Sequence, residues 1–205
     1  MPTPTLERER ALWAKGYEYV AGVDEVGRGP LAGPVVTAAV VFDHEQGPIE
    51  GLRDSKKMTA NQRNAVSEAV RGAARAWAIG AASVREIDRR NIRRATALAM
   101  QRAVARLSLL PDYVIIDGRP MPELEYEHDA IVGGDATSMS IAGASVIAKC
   151  VRDHLMELLD KRYPGFGWGG NKGYGTAAHI AMLDDIGPTP HHRKSFGPVV
   201  QPRLL

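Results

Sequence analysis

The sequence contains almost no cysteine and no long hydrophobic segment. Cys150 is the single cysteine among 205 residues, so an intrachain disulfide and a zinc site built from several cysteines are excluded. One of the longest apolar runs, residues 35–42, is far shorter than the ~20 residues that a membrane span needs. Residues 1–10 lack the basic-then-apolar order of a secretory signal. These absences predict a soluble cytoplasmic protein with no membrane partner.

The chain also has little excess charge of either sign. Its net charge is +2, and its hydrophobic and charged fractions of 44% and 24% are typical of globular proteins. The charge is unevenly distributed, because residues 161–205 carry +4 and residues 1–160 carry −2. This asymmetry fits a protein that grips phosphates with one part and holds carboxylates in another, but an ordinary solvated surface explains it equally well.

The pattern of apolar residues predicts a mixed α/β fold. Valine-rich segments flank the glycine- and proline-dense residues 27–34, which predicts two strands joined by a tight turn. Helical spacing, with a capping box that begins at Thr59, predicts the helices. We expect strands at residues 19–23, 35–42, 76–83, 113–116 and 130–132, and helices at residues 59–75, 88–107 and 143–159. This order of elements predicts a mixed sheet covered by helices.

Three segments are expected along the chain. Residues 1–16 are predicted to be a lead-in, and residues 17–160 the main domain. Glycines and prolines concentrate just after the third predicted helix, so residues 161–205 are predicted to form a smaller C-terminal region.

Acidic residues stand where apolar strands end. Asp24 and Glu25 follow the first predicted strand, and Asp117 follows residues 114–116. Open α/β sheets place their active sites at such strand ends, and a buried carboxylate costs several kcal/mol unless a cation compensates it. Carboxylates gathered there can bind Mg²⁺ or Mn²⁺. The sequence therefore predicts a divalent-metal site built on these three acids.

Two further acids compete for a fourth position in this site. Asp135 lies on a glycine-rich loop just before the third predicted helix, and we predict that it is the additional carboxylate. Asp153 lies within that helix beside Arg152, and a structural ion pair or a capping role is the preferred interpretation for it.

Gly27, Arg28 and Gly29 admit two interpretations. The glycines can simply form the turn after the first strand. They can also let the backbone approach a ligand so closely that its amides and carbonyls touch it. A ribose 2′-hydroxyl both donates and accepts, and it distinguishes RNA from DNA, so backbone groups beside a metal site could recognise it.

An ordered set of motifs resembles one known family. The set comprises residues 23–34 (VDEVGRGPLAGP), 54–57 (DSKK), 116–118 (IDG), 144–149 (ASVIAK), 152–153 (RD), 171–176 (NKGYGT) and 192–196 (HRKSF). In this order it resembles the ribonuclease HII family, the type 2 ribonucleases H, over about residues 17–198. The resemblance implies a ribonuclease H-like fold, with a mixed five-stranded sheet flanked by helices and a small C-terminal helical region.

The same resemblance implies an activity. Such an enzyme would hydrolyse the RNA strand of RNA–DNA hybrids and cut duplex DNA on the 5′ side of embedded ribonucleotides. The ends left would be 3′-hydroxyl and 5′-phosphate. It would use Mg²⁺ or Mn²⁺, with two ions during catalysis, one activating the attacking water and one stabilising the leaving oxygen.

Residue roles carry over from the family by position. The resemblance implies that Asp24, Glu25, Asp117 and Asp135 are the catalytic metal ligands, although Gly133 stands where the family usually has a lysine before Asp135. The resemblance also implies that Gly27, Arg28 and Gly29 contact the 2′-hydroxyl and that Tyr174 contacts the sugar of the RNA–DNA junction. The implied phosphate contacts are Lys56, Lys149 and Arg193, with Lys172 as a further candidate. Phosphate contacts position a duplex without reading its sequence.

Two alternative functions predict different sequence features. A non-catalytic nucleic-acid-binding module would be expected to lack the strand-end acids, and the related ribonuclease HIII would need a sizeable N-terminal domain ahead of the first strand. His191 and His192 are expected to be exposed or to contact phosphates. The tail ending in Leu204 and Leu205 has no evident sliding-clamp motif, and a monomer is expected.

Overall fold

A computed structural model describes residues 3–200, without the side chains of Lys56 and Val200. Five strands form one sheet: β1 (Val20–Val26), β2 (Val35–Val41), β3 (Ala76–Ala82), β4 (Tyr113–Asp117) and β5 (His128–Ile131). The helices are α1 (Glu7–Trp13), α2 (Ala60–Ala73), α3 (Val84–Arg90), α4 (Ile92–Ala105), α5 (Met139–Arg162), α6 (Trp168–Asn171), α7 (Ala177–Ile186) and α8 (Gly197–Val200). Short 3-10 helices lie at Ser55–Lys57 and Gly134–Ala136.

The sheet has the strand order β3-β2-β1-β4-β5. Strands β1, β2 and β3 pair antiparallel, whereas β1, β4 and β5 pair parallel. The parallel register aligns Val23 with Ile116, so the acidic residues that follow each of them emerge at the same edge. The prediction of a mixed five-stranded sheet flanked by helices is confirmed.

The two faces of the sheet pack against different helices. Ala38 and Val40 of β2 pack in one apolar cluster with residues of α2 and α5. The alternate residues Ala39 and Val41 pack in another cluster with residues of α4. Side chains alternate between the faces of a strand, so the valine- and alanine-rich β2, which is buried throughout, supplies both layers.

Close packing of α5 on the sheet depends on Gly22 of β1. A Cβ atom at this position would overlap the backbone of Ser140 and Ile141. The backbone of β1 therefore lies directly against the first turn of α5. Asp24, two residues further along the same face, consequently faces this helix as well.

Two predicted helices have different bounds in the structure. The helix predicted at residues 88–107 is wrong as a single element, because Asn91 has a φ of 67° and separates α3 from α4. The Asn91 side chain accepts a hydrogen bond from the Arg94 backbone and so caps α4. Helix α5 begins earlier than predicted because the Ser138 side chain caps it by accepting from the Ile141 backbone.

The C-terminal segment folds against the body through a separate apolar cluster. Leu31 and Ala32, which follow β1, pack with Phe166, Trp168 and Leu183. The segment thereby covers the glycine-rich turn that follows the first strand. Across residues 3–200, no helix combines the length and apolar character that crossing a membrane requires.

Candidate active site

Three of the predicted carboxylates line one cleft. Asp24 and Glu25 lie near the end of β1, and Asp117 is the last residue of β4. All three line a cleft of about 330 Å³. The parallel pairing of β1 and β4 accounts for this, since it carries the ends of both strands to the same edge of the sheet.

Asp24 is the most buried of these acids, at 6% exposure. Its Oδ1 accepts a hydrogen bond of 2.7 Å from the Glu25 backbone. Burial, followed by the neighbouring charge of Glu25, raises the pKa of Asp24 well above its ordinary value, and Asp117 adds to the effect. A hydrogen bond with the Ser145 side chain of α5 opposes this rise in pKa. The site thus holds more negative charge than its burial favours.

Glu25 is only half satisfied. Its Oε1 forms an ion pair of 3.0 Å with Arg28, whereas its Oε2 is buried without a hydrogen-bond partner. Burial raises the pKa of Glu25, and Arg28 opposes that rise. An orphaned, buried carboxylate oxygen beside two further acids is an arrangement that a cation would stabilise.

Asp117 connects the cleft to the loop that carries Asp135. Its Oδ1 accepts a hydrogen bond of 2.7 Å from the Gly134 backbone. Asp135, the next residue, lies half-buried in the 3-10 helix Gly134–Ala136. It is not one of the residues that line the 330 Å³ cleft, so the structure places it next to the loop that contacts Asp117, outside the group of three carboxylates.

The donor set fits a divalent metal ion, but it is not closed around one. Within residues 3–200, no three His, Cys, Asp or Glu side chains lie in an arrangement ready to hold a metal, and Glu25 is instead paired with Arg28. The cleft nevertheless offers carboxylate oxygens, which Mg²⁺ and Mn²⁺ prefer as ligands. The partnerless Oε2 of Glu25 and the raised pKa of Asp24 indicate buried negative charge that a cation would stabilise.

Most of the predicted substrate contacts line the same cleft. Gly27, Arg28, Gly29, Lys149 and Tyr174 surround it together with the carboxylates. The Tyr174 ring is half exposed, and a Cβ added to Gly29 would lie 3.4 Å from its Cε1 atom. An aromatic face and a glycine backbone are therefore presented side by side.

Lys56 and Lys172 are two further predicted phosphate contacts. The side chain of Lys56 lies outside the described part of the structure. Lys172 is turned inward: its Nζ atom forms an ion pair of 2.7 Å with Glu157 and donates to the Gly169 carbonyl.

Arg193 is not a phosphate contact, and the prediction that it is one is wrong. The residue is fully buried, and its guanidinium donates to the carbonyl oxygens of Gly27, Arg28 and Gly33 at 2.5–3.0 Å. Burial lowers its pKa to about 9. The Arg193 guanidinium hydrogen-bonds the turn after β1 inside the fold, so it cannot reach a phosphate in solvent.

Arg152 supports the same turn, a role that the sequence indicates only through a motif match. Its guanidinium is buried and donates to the carbonyls of Ala32, Pro34 and Lys172 at 3.0–3.1 Å. Gly27 has a φ of +99°, and a Cβ there would overlap Arg152. Between them, the two buried arginines hold the backbone of residues 27–34, Arg193 at Gly27, Arg28 and Gly33 and Arg152 at Ala32 and Pro34.

Asp153 forms ion pairs, as the sequence predicted. It lies 3.1 Å from Arg63 of α2 and 2.7 Å from Lys149, one turn earlier on α5. Through the second pair it also orients Lys149, which lines the cleft. Asp153 therefore acts beside the site rather than among the three carboxylates.

His192 departs from its expected exposure. It is buried at 1% exposure and lies 2.9 Å from His179, which is itself fully buried. The sequence does not indicate a histidine inside the C-terminal cluster, because adjacent histidines in a proline-flanked segment are typical of a solvent-exposed loop.

Comparison with known proteins gives consistent matches. The family model described as Ribonuclease HII matches residues 21–199. Ribonuclease HII of Vibrio cholerae serotype O1 is 54% identical over 196 residues, which cover 96% of this chain and 95% of the relative. The crystal structure of ribonuclease H2 from Pyrococcus horikoshii OT3 is 26% identical, with a TM-score of 0.70 over 89% of this chain and 95% of that one.

A second solved structure shows the same fold at lower identity. It is a complex of PCNA with ribonuclease HII from Archaeoglobus fulgidus, 23% identical, with a TM-score of 0.74 over 90% of this chain and 98% of that one. At this identity the likeness concerns the fold alone.

Proposed function

The chain belongs to the ribonuclease HII family and is a ribonuclease H hydrolase that acts on the RNA of RNA–DNA hybrids; we propose that it also cuts duplex DNA on the 5′ side of single embedded ribonucleotides. The observation that carries the proposal is one cleft in which carboxylates, a glycine backbone and an aromatic ring meet. Asp24, Glu25 and Asp117 line it beside Gly29 and Tyr174. Carboxylates alone would be expected in any metal-dependent nuclease, whereas the glycine backbone and the aromatic ring are suited to contact a ribose.

The carboxylates would hold a divalent metal. We assign Asp24, Glu25 and Asp117 as ligands, with Asp135 as the fourth carboxylate on the adjoining loop. When bound, Mg²⁺ or Mn²⁺ supplies activation of water and charge stabilisation at the phosphate. The Glu25 carboxylate would exchange its ion pair with Arg28 for the metal, since its Oε2 has no other partner.

The remaining residues would position the substrate. Backbone groups of Gly27, Arg28 and Gly29 would hydrogen-bond the 2′-hydroxyl, which is both donor and acceptor. Tyr174 would pack its exposed face on the sugar of the RNA–DNA junction. Lys149, and Lys56 from the neighbouring 3-10 helix, would contact phosphates without reading sequence. Hydrolysis in this geometry would leave 3′-hydroxyl and 5′-phosphate ends.

The deciding experiment uses a labelled DNA duplex with one internal ribonucleotide. We expect a single cut 5′ of that ribonucleotide in Mg²⁺ or Mn²⁺, and none in EDTA. An all-DNA duplex and a long RNA–DNA hybrid serve as matched substrates. Cleavage of the hybrid alone would refute the junction roles of Gly29 and Tyr174, and binding without cleavage in either metal would instead favour a non-catalytic module.

The proposal extends to the organisation of the chain. Residues 17–160 would form the catalytic domain, preceded by a lead-in at residues 1–16, and residues 161–205 would grip the substrate. We propose that the protein acts as a cytoplasmic monomer without a sliding-clamp contact. Leu204 and Leu205 lie outside the described residues. Light scattering with and without a clamp protein tests both the monomeric state and the absence of a sliding-clamp contact.

A further inference from the structure

A series of hydrogen bonds, centred on the buried side chains of His179 and His192, runs through the C-terminal segment towards the cleft. The Thr189 backbone donates to His192 Nδ1 at 2.9 Å, and His192 Nε2 lies 2.9 Å from His179 Nε2. The Trp168 Nε1–H group donates to the same His179 nitrogen at 3.1 Å. His179 Nδ1 lies 2.8 Å from the carbonyl oxygen of Tyr174.

These contacts allow one assignment of the imidazole protons. Trp168 Nε1–H can only donate, so His179 Nε2 must accept and the His179 proton must be on Nδ1. His192 Nδ1 accepts from the Thr189 backbone, so the His192 proton is on Nε2 and donates to His179. Each ring is therefore neutral with a defined tautomer, and His179 Nδ1–H donates to the Tyr174 carbonyl.

This series of hydrogen bonds ends at Tyr174, which lines the cleft. Tyr174 is half exposed and lines the carboxylate cleft, where its ring lies close to Gly29. His179, by contrast, is fully buried, and its link to the cleft is the hydrogen bond to the Tyr174 carbonyl. A buried side chain thus contacts the backbone of a residue whose ring is half exposed.

We propose that His179 is a positioning residue that holds Tyr174 at the ribose, with its tautomer fixed by Trp168 and His192. This inference rests on the proposed function, because it assigns Tyr174 a role at the RNA–DNA junction. His179 does not touch substrate in this arrangement. It acts by restricting the backbone that carries the aromatic ring, and a displacement of about 1 Å at such a contact can cost up to about 10²-fold in rate.

The electrostatics of the two rings agree with this geometry. Burial lowers the pKa of His179, and burial together with His179 lowers the pKa of His192 to about 4. Both rings consequently stay neutral at neutral pH. A second proton on His179 would place an N–H group against the donors Trp168 and His192.

Two substitutions at His179 separate its two nitrogens. In His179→Asn the side-chain amide can still donate to the Tyr174 carbonyl from about the Nδ1 position. In His179→Gln an amide oxygen can still accept near the Nε2 position, but the donor to Tyr174 is lost. On the duplex with one ribonucleotide we expect kcat/KM to fall about tenfold for His179→Gln and about threefold or less for His179→Asn.

A double-mutant cycle shows whether His179 acts through Tyr174. In a Tyr174→Ala background, His179→Gln should cause little further loss of kcat/KM, because the ring it positions is absent. Leu183→Ala is the matched control, since Leu183 packs in the same apolar cluster as Trp168. It should lower the unfolding midpoint while leaving kcat/KM unchanged at 25 °C.

A third measurement needs no substitution. Long-range proton–nitrogen correlation spectra of the wild-type imidazoles should show His179 protonated at Nδ1 and His192 at Nε2. The opposite tautomer at His179 would overturn the inference, as would equal activity of the Gln and Asn variants or additive losses in the cycle. Absence of cleavage by the wild-type protein would instead refute the proposed function, so the two failures are distinguished by different arms of the experiment.

Discussion

At the residue scale, the acids that line the cleft are buried at a cost in stability. Asp24 is held at 6% exposure beside two other carboxylates, and its pKa is raised chiefly by burial. A carboxyl whose pKa is higher in the folded chain favours its protonated form there. Its contribution to stability is therefore present at low pH and is lost as the pH rises through the folded-state pKa.

Asp24→Asn should consequently stabilise the metal-free protein at pH 7 while abolishing cleavage. We expect the free energy of unfolding to rise by about 0.5–2 kcal/mol, as for other active-site substitutions that remove a functional strain. Thermal unfolding in EDTA measures this change. Added Mg²⁺ should raise the wild-type midpoint more than that of the variant.

The exposed Asp184 of α7 provides the matched control for this substitution. Asp184→Asn removes the same charge outside the cleft, so stability and cleavage should both stay close to wild type. Near wild-type turnover by Asp24→Asn would contradict the metal-ligand assignment.

Arg193 and Lys149 should respond oppositely to substitution. Arg193→Gln leaves buried carbonyls of the Gly27–Gly33 turn unsatisfied, which should lower the free energy of unfolding by about 2–4 kcal/mol. It should not change the salt dependence of duplex binding, because Arg193 is fully buried.

Lys149→Gln should instead reduce the slope of log K against log salt by about one while costing little stability. Binding titrations from low to moderate salt, in EDTA to prevent cleavage, measure both slopes. A reduced slope for folded Arg193→Gln would restore the phosphate contact that the structure contradicts.

At the element scale, the site depends on how closely β1 and α5 approach. Gly22 permits the contact, and Asp24 and Ser145 meet across the same interface. The helix brings its Ser145 hydroxyl to Asp24 only because the strand two residues earlier has no side chain. The close approach of β1 to α5 therefore also determines the position of Asp24.

Gly22→Ala should therefore impair both stability and cleavage. The added methyl group overlaps backbone atoms of Ser140 and Ile141, and we expect a loss of about 2–3 kcal/mol from this overpacking. Gly72→Ala is the control, because that exposed glycine of α2 has nothing within 4 Å of an added Cβ. It should stabilise the helix by about 0.5–1 kcal/mol, and denaturant unfolding compares the two.

At the scale of the whole molecule, the C-terminal segment is bound to the body through the turn after β1. The Leu31 backbone donates to Gly173, and the Arg193 backbone donates to Leu31, both at 2.8 Å. Two buried arginines and a histidine pair complete this junction. Neutral histidines inside it make the stability of the whole chain sensitive to pH.

His192 should make the protein less stable as the pH falls from about 6.5 to about 4. Its pKa is lowered to about 4 in the folded chain, chiefly by burial, so the unfolded chain takes up a proton that the folded chain does not. The unfolding equilibrium constant should grow by up to about tenfold per pH unit in this range.

Carboxylates titrate over the same range, so the test compares wild type with His192→Asn. The variant should lose this part of the pH dependence, whereas substitution of the exposed His44 by Gln should not. Identical pH profiles for wild type and His192→Asn would contradict the prediction.

The sequence by itself determined the layers of the fold and the chemistry of the cleft. Valine-rich strands, capped helices and acids at strand ends are local signals, since side-chain alternation and hydrogen bonding within a few residues produce them. They were sufficient for the mixed sheet and for bringing Asp24, Glu25 and Asp117 together. The resemblance to a known family added Tyr174 and Gly27–Gly29 to that cleft.

Only the tertiary structure decided what the buried cations and histidines contact. Arg193 meets the Gly27 carbonyl across more than 160 residues of chain, and a guanidinium looks the same in the sequence whether it faces a phosphate or a carbonyl. Asn91 likewise divides a continuous helical pattern through a backbone angle that periodicity does not record. The roles of these residues depend on burial and on contacts with residues distant in the sequence. Both decide which polar groups must be hydrogen-bonded inside the fold.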